Sequence, residues 1–150
     1  MKIRLAVKTE HYEEIKSKLL SAGIEIDDNA DLILSEKDQF VNYLPVKEQE
    51  TNDRLKISVE DIVYIETCGR DVLVHTEEAI YQAVDRIYQL CNMLNTEEFL
   101  RVSNSVIVSK KKVRKIKPSF SMKFILTMSD GSQVDVTRSY YNIFREALGI

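Results

Sequence analysis

The segment KIRLAVK, residues 2–8, alternates Ile3, Leu5 and Val7 with Lys2, Arg4 and Lys8 around Ala6, the period-two pattern of a half-buried strand. From His11 the period lengthens. Ile15, Leu19 and Leu20 fall at helical spacing, with Thr9 placed to cap the helix and Gly23 to stop it. Residues 24–26 and 32–34 are two more short apolar runs, separated by the turn formers Asp27, Asp28 and Asn29, so the opening predicts a small β-α-β unit whose pairing order is not encoded locally. Residues 38–45 contain FVNYL, a further strand candidate. The polar run KEQETNDR, residues 47–54, offers nothing to bury and reads as an exposed connector. The expected organisation is therefore an N-terminal unit over 1–46 with a regulatory or dimerising role, a connector over 47–54 and a main domain over 55–150.

Beyond the connector the pattern turns predominantly to strands. In LKISVEDIVYIET, Ile57 and Val59 alternate, Glu60 and Asp61 interrupt, and residues 62–65 resume an apolar run. Residues 68–71, Cys-Gly-Arg-Asp, form a loop, and VLVHT and AIYQA flank Glu77 and Glu78 as a β-hairpin. Val84, Ile87, Leu90, Cys91 and Leu94 predict one helix, with Asp85 in its first turn and Asn95 as its end signal. Then come a strand over 100–102, a polar turn Ser103-Asn104-Ser105, a strand over 106–108 and a basic loop. KFILTM and QVDVT flank Asp130-Gly131, a dipeptide suited to the positive φ of a tight hairpin turn. SYYNIFREAL closes the chain as a short helix with Tyr141, Phe144, Leu148 and Tyr140 on its apolar face. The fold class is mainly β with short helices, an α+β arrangement of small sheets.

Charge changes this picture. Eight basic residues and no Asp or Glu lie between Leu100 and Ser129, which leaves 13 Lys+Arg against 24 Asp+Glu in the remainder, a net of −11 in a chain that totals only −3. Such segregation points to a polyanionic partner, because a phosphate backbone feels the local field more than the average. No stretch approaches the roughly 18 consecutive apolar residues of a membrane span, and the N-terminus lacks the apolar region of a signal peptide, so a cytoplasmic location is expected. Cys68 and Cys91 lie 23 residues apart without a CxxC, a spacing that fits reduced thiols better than a metal site. About 45 residues cannot hold a phospho-receiver domain, so Asp27, Asp28 and Asp31 read as turn residues.

Catalysis finds no support in the spacing. Ser103 and Ser105 lack a GxSxG setting, no glycine-rich phosphate loop is present, and neither His stands beside a nucleophile, so no enzyme, cofactor, metal or small-molecule substrate is expected. Arg70, Asn104 and Arg138, in contrast, sit among turn-type residues at different strand ends. Arg bridges guanine O6 and N7, Asn bridges adenine N6 and N7, and lysines neutralise phosphates without reading sequence. The lack of aromatic motifs for stacking bases on a sheet makes RNA the weaker alternative.

An ordered series of segments, VEDIVYIET (59–67), FLRVSNSVIVSKKKVRKI (99–116), FILTMSDGSQVDVTRSY (124–140) and the terminal helix, resembles the LytTR DNA-binding domain of bacterial transcription regulators. Ser103-Asn104-Ser105 stands where that family usually has a His-Arg-Ser type of triplet, and Ser109 where Asn is common. The resemblance implies an elongated stack of small β-sheets that reads double-stranded DNA through loops, without a recognition helix. It further implies a dimer on direct repeats, one protomer per repeat, with loops in successive major grooves. It places base contacts at Arg70, Asn104 and Arg138, and backbone contacts at Ser103, Ser105, Lys110, Lys111, Lys112, Arg114, Lys115 and Ser139. Asp71, beside Arg70, would repel phosphate. The first 50 residues differ from members that carry a receiver domain, so control would come from abundance, from self-association through the N-terminal unit, or from a partner such as a restraining membrane protein. The competing expectation is a protein-interaction module that pairs with and silences a related regulator.

Overall fold

The computed structural model describes residues 1–36 and 40–150. It divides into two units, residues 1–39 and 40–150. In the first, strand β1 (Lys2–Ala6) is the centre of a parallel three-stranded sheet ordered β2-β1-β3, with β2 at Glu25–Ile26 and β3 at Leu32–Ser35. The alternation acts as expected, burying Ile3 and Leu5 and leaving Lys2 and Arg4 exposed. Helix α1 (Thr9–Ser21) begins one residue earlier than its capping pattern predicts. The chain stays extended through Lys8 and turns at once, so Thr9 is already helical and Lys8 occupies the cap without a side-chain hydrogen bond. Gly23 does end the helix. At φ +81° it lets its own N–H reach the Leu20 carbonyl (3.0 Å) and the Ile24 N–H reach that of Leu19 (2.9 Å), a Schellman closure. Asp27 is a turn residue, its Oδ1 accepting from the Asn29 N–H at 2.9 Å.

The second unit contains ten strands in two antiparallel sheets. β4 (Tyr43–Glu48), β5 (Arg54–Ser58), β6 (Ile62–Cys68), β7 (Asp71–Thr76), β8 (Ile80–Ala83), β9 (Phe99–Ser103) and β10 (Val106–Ser109) form one, ordered β5-β4-β8-β7-β6-β10-β9. β11 (Val113–Ser119), β12 (Lys123–Met128) and β13 (Gln133–Val136) form the other in chain order. Two helices complete it, α2 (Ile87–Met93) and α3 (Tyr141–Leu148). The result is mainly β with short helices, as the periodicity predicts.

Four local expectations are revised here. The run 47–54 is not a linker between units, because Lys47 pairs with Arg54 and the polar residues between them close the β4–β5 hairpin. A solvated hairpin end and a linker share one composition, since neither buries a side chain. Of FVNYL only Tyr43 and Leu44 are in a strand, and the start of that candidate at Asp38 lies outside the described residues. Asp85 precedes α2, whose first turn is closed instead by Gln89 Oε1 accepting the Arg86 N–H at 2.9 Å. The basic segment is a 3-10 turn over Lys110–Lys112 followed by strand β11, not a loop. Val113 and Ile116, three residues apart, are both half-buried against the core while Arg114, Lys115 and Lys117 face water, because a register shift between Val113 and Lys115 interrupts the alternation.

The large sheet is covered on both faces. One face buries Leu44, Val46, Ile65, Val74 and Ile107 under Leu90 and Leu94 from α2 and the chain beside it. The other packs Tyr64, Val102 and Val108 against Leu126, Met128 and Val136 of the small sheet and Phe144 of α3. This explains the unbroken apolar run of β6, since a strand with core on both sides has no polar face to alternate.

Candidate nucleic-acid interface

Antiparallel registry, more than sequence proximity, assembles the site. β6 and β7 are joined by the tight turn Gly69-Arg70, in which Gly69 takes the positive φ (+63°) that the closure of Cys68 on Asp71 requires. β10 runs antiparallel to β6, with Val106 opposite Glu66, so the β9–β10 turn carrying Asn104 lies at that same end. The Thr67 N–H donates to the Ser105 carbonyl at 2.8 Å and ties the two turns together. The third loop joins them from the other sheet. The Thr137 N–H donates to the Val102 carbonyl (3.0 Å), and the Tyr140 hydroxyl to Asn104 Oδ1 (3.2 Å). Arg70 and Asn104, in tight turns, and Arg138, at the start of a 3-10 turn (Arg138–Tyr140), thus stand at one end of the unit, and all three are exposed.

The middle turn is held firmly. Arg101 Nε donates to the Ser103 carbonyl at 3.1 Å and its Nη2 donates to the Asn104 carbonyl, so one guanidinium clamps both peptide oxygens of the turn. Ser103 is buried and its Oγ accepts from the Ser105 N–H at 3.2 Å, a use internal to the turn, whereas Ser105 and Ser139 are exposed. Tyr140 engages the amide oxygen of Asn104, which turns the NH2 outward as a donor with one oxygen lone pair still open. Sequence reasoning missed Arg101 and Tyr140 in these roles. Arg101 entered only as a charge, and its spacing of three residues from Asn104 is the one local signal that could have marked it. Asp71, feared as a repulsive group, has its Oδ1 engaged by Gln82 Nε2 at 3.1 Å.

The lysines lie elsewhere. Ser109 pairs with Phe99 at the far end of β10, so the 3-10 turn Lys110–Lys112 is at the opposite end of the sheet from Asn104. There Lys111 is paired with Glu60, and Lys112 Nζ stands 3.7 Å from Glu77. Arg114 Nη1 donates to the Lys111 carbonyl at 2.8 Å. Lys115 is exposed on β11, in register with Thr127, on the outward side of the small sheet that also bears Lys117. The structure therefore brings together Arg70, Asn104, Ser105, Arg138 and Ser139, and separates Lys110, Lys111, Lys112 and Arg114 from them.

At the loop end is an open groove lined by Tyr64, Glu66, Asn104, Gln133, Asp135 and Ser139. His75 stacks on Tyr64 with ring centroids 4.0 Å apart and meets the Glu66 carboxylate off the hydrogen-bond axis. Burial pushes the Tyr64 hydroxyl above its usual range, and the neighbouring Glu66 adds to the effect. Among the described residues, no group of three or more His, Cys, Asp or Glu is placed to hold a metal.

Two stacked antiparallel sheets with short helices, bringing Arg70, Asn104 and Arg138 to one end, define a mainly β domain. Residues 52–149 match the family described as LytTr DNA-binding domain, and the chain belongs to that family. It is 25% identical over 122 residues to the sensory transduction protein LytT of Bacillus subtilis (strain 168), covering 81% of this chain and 51% of the relative. It is 23% identical over 140 residues to the transcriptional regulatory protein LytR of Staphylococcus aureus (strain N315), covering 92% and 56% respectively. The chain thus spans about half the length of these curated relatives. A LytTr DNA-binding domain from Bacillus cereus shares the fold with a TM-score of 0.68 at 24% identity, over 73% of this chain and 99% of that one.

Proposed function

We propose that this protein is a sequence-specific, cytoplasmic DNA-binding transcription regulator that reads double-stranded DNA through its three-loop end. One observation carries the reading: residue types able to read base edges, Arg70, Asn104 and Arg138, stand exposed on three separate loops that registry brings to one end. Ser105 and Ser139 flank them as donors to phosphate. Lys110, Lys111, Lys112 and Arg114 would meet phosphates only away from the loop end. The four residues of β10 set them about 13 Å from the loops at 3.3 Å per residue, beyond the Debye length of about 8 Å at physiological salt, so their field at the loops is largely screened. The direct test is retardation of a duplex from the protein's own upstream region at about 100 mM salt, where specific complexes hold and most non-specific ones have weakened. Specific retardation supports the reading. Its absence favours a protein-interaction module that silences a related regulator.

Binding to direct repeats, one protomer on each, goes with self-association through the N-terminal unit. Among its described residues this unit buries only Ile3 and Leu5 as apolar side chains, while Leu32, Ile33 and Leu34 on the edge strand β3 are 55%, 54% and 40% exposed. A unit of this size rarely closes a core alone, and an apolar edge strand is a template for another strand. A second copy supplies both. Sedimentation of the wild type as a dimer and of Ile33→Lys as a monomer is the expected result; a monomeric wild type would exclude the pairing.

A further inference from the structure

We propose that the β11–β12 hairpin tip is an additional DNA-contacting element, an apolar wedge that enters the minor groove beside the major groove met by Arg138. The proposal rests on the DNA-binding reading above and extends its footprint to residues which that reading leaves unused. Phe120, at the tip, is 92% exposed and Met122 is 44% exposed. Water does not favour a phenyl ring held out in this way, and the backbone beneath it is not relaxed either. Ser121 (φ +64°) and Met122 (φ +57°) both sit in the left-handed region, where glycine would be the easier residue. Side chains kept at a strained, solvent-facing tip point to a use for them.

Placement indicates the use. Phe124 pairs with Pro118 on one side and Val136 on the other, so the tip projects past the strand end from which Thr137 and Arg138 continue. Phe120, in the turn after β11, and Arg138, at the start of the 3-10 turn after β13, therefore stand at the same end of the small sheet. Because β12 lies between β11 and β13, they are offset sideways by two strand spacings, about 10 Å. With a major groove about 12 Å wide and a minor groove about 6 Å wide, that offset carries the tip across one phosphodiester backbone into the neighbouring minor groove. The chemistry agrees. Phe, Met and Pro are the residue types that wedge into minor grooves, and Phe120 and Met122 are flanked by exposed Lys117 and Lys123 in a stretch without a single carboxylate. The two lysines fall on the phosphates that border the groove, Phe120 on its floor.

Hydroxyl-radical footprinting and binding isotherms on a cognate duplex test this, using the full chain and the variants Phe120→Ala and Lys117→Ala/Lys123→Ala. Phe120→Ala is expected to lose protection in one flanking minor groove and to bind at least about tenfold more weakly, with protection at the central major groove retained. The double lysine variant should lower the salt slope by about 1.8, that is 0.9 per phosphate released. Protection and affinity of Phe120→Ala equal to wild type, while wild type binds, overturns the wedge alone. Failure of wild type to bind any duplex overturns the DNA reading beneath it. A change in self-association with DNA binding unaltered would also overturn the proposal, because it would make the tip a protein interface.

Discussion

Asn104 is a neutral side chain whose placement depends on two residues that never need to touch DNA. Arg101 fixes the backbone of its turn from below, and Tyr140 fixes the orientation of its amide from the side. Arg101→Lys keeps the charge but cannot fork across two carbonyls, and hydrogen bonds to a charged group contribute about 1.5–3 kcal/mol each. The variant is therefore expected to lose specific affinity while keeping the wild-type salt slope, as fluorescence anisotropy over a salt series would show. A lowered slope with specificity intact would instead make Arg101 a phosphate ligand. At this scale the sequence was legible in part. Asn104 was chosen for its chemistry and its turn setting, but Ser103, a residue of the same turn type, is buried and engaged within the turn. Nothing in the triplet itself separates an outward from an inward serine.

Elements were more readable, since period and turn chemistry are local. The hairpins β7–β8 and β12–β13, the short β-α-β opening and the terminal helix all follow from patterns of about ten residues. The misreadings arose where one composition serves two geometries: polar hairpin against linker at 47–54, and basic strand against basic loop at 110–119. One contact within the first unit is of a kind that no period announces. His11 Nδ1 lies 2.7 Å from Glu36 Oε1, joining α1 to the residue after β3. The hydrogen bond to Glu36 and its charge raise the His11 pKa above 6.5, and the same bond lowers that of Glu36 below 4.5. The His11 contribution to stability is complete below 6.5 and disappears as pH rises through its raised value; that of Glu36 is present above 4.5 and fades as pH falls through its lowered value. Both groups are solvated, so the effect on stability is small. A proton NMR titration should place the His11 midpoint above 6.5 and return it toward that value in Glu36→Gln, and an unchanged midpoint would remove the pair from the account.

For the whole molecule, the decisive information is which strand lies beside which. The order β5-β4-β8-β7-β6-β10-β9 and the antiparallel registry of β6 with β10 bring Arg70 next to Asn104, while the same registry sends Lys110, Lys111 and Lys112 to the other end. Charge counting along the chain groups these lysines with Asn104 because they are near in sequence; four residues of extended strand separate them in space. The field of the lysine turn is local and tempered by Glu60 and Glu77, and in the proposed reading the loop end carries the discrimination. This division is open to one measurement above others: the affinity of Asn104→Ala for a cognate duplex and for a random duplex of equal length, each over a salt series. A loss of about 1–3 kcal/mol on the cognate site, with random binding and both salt slopes nearly unchanged, is the predicted result. Equal losses on the two duplexes would contradict the loop end as the reader of sequence.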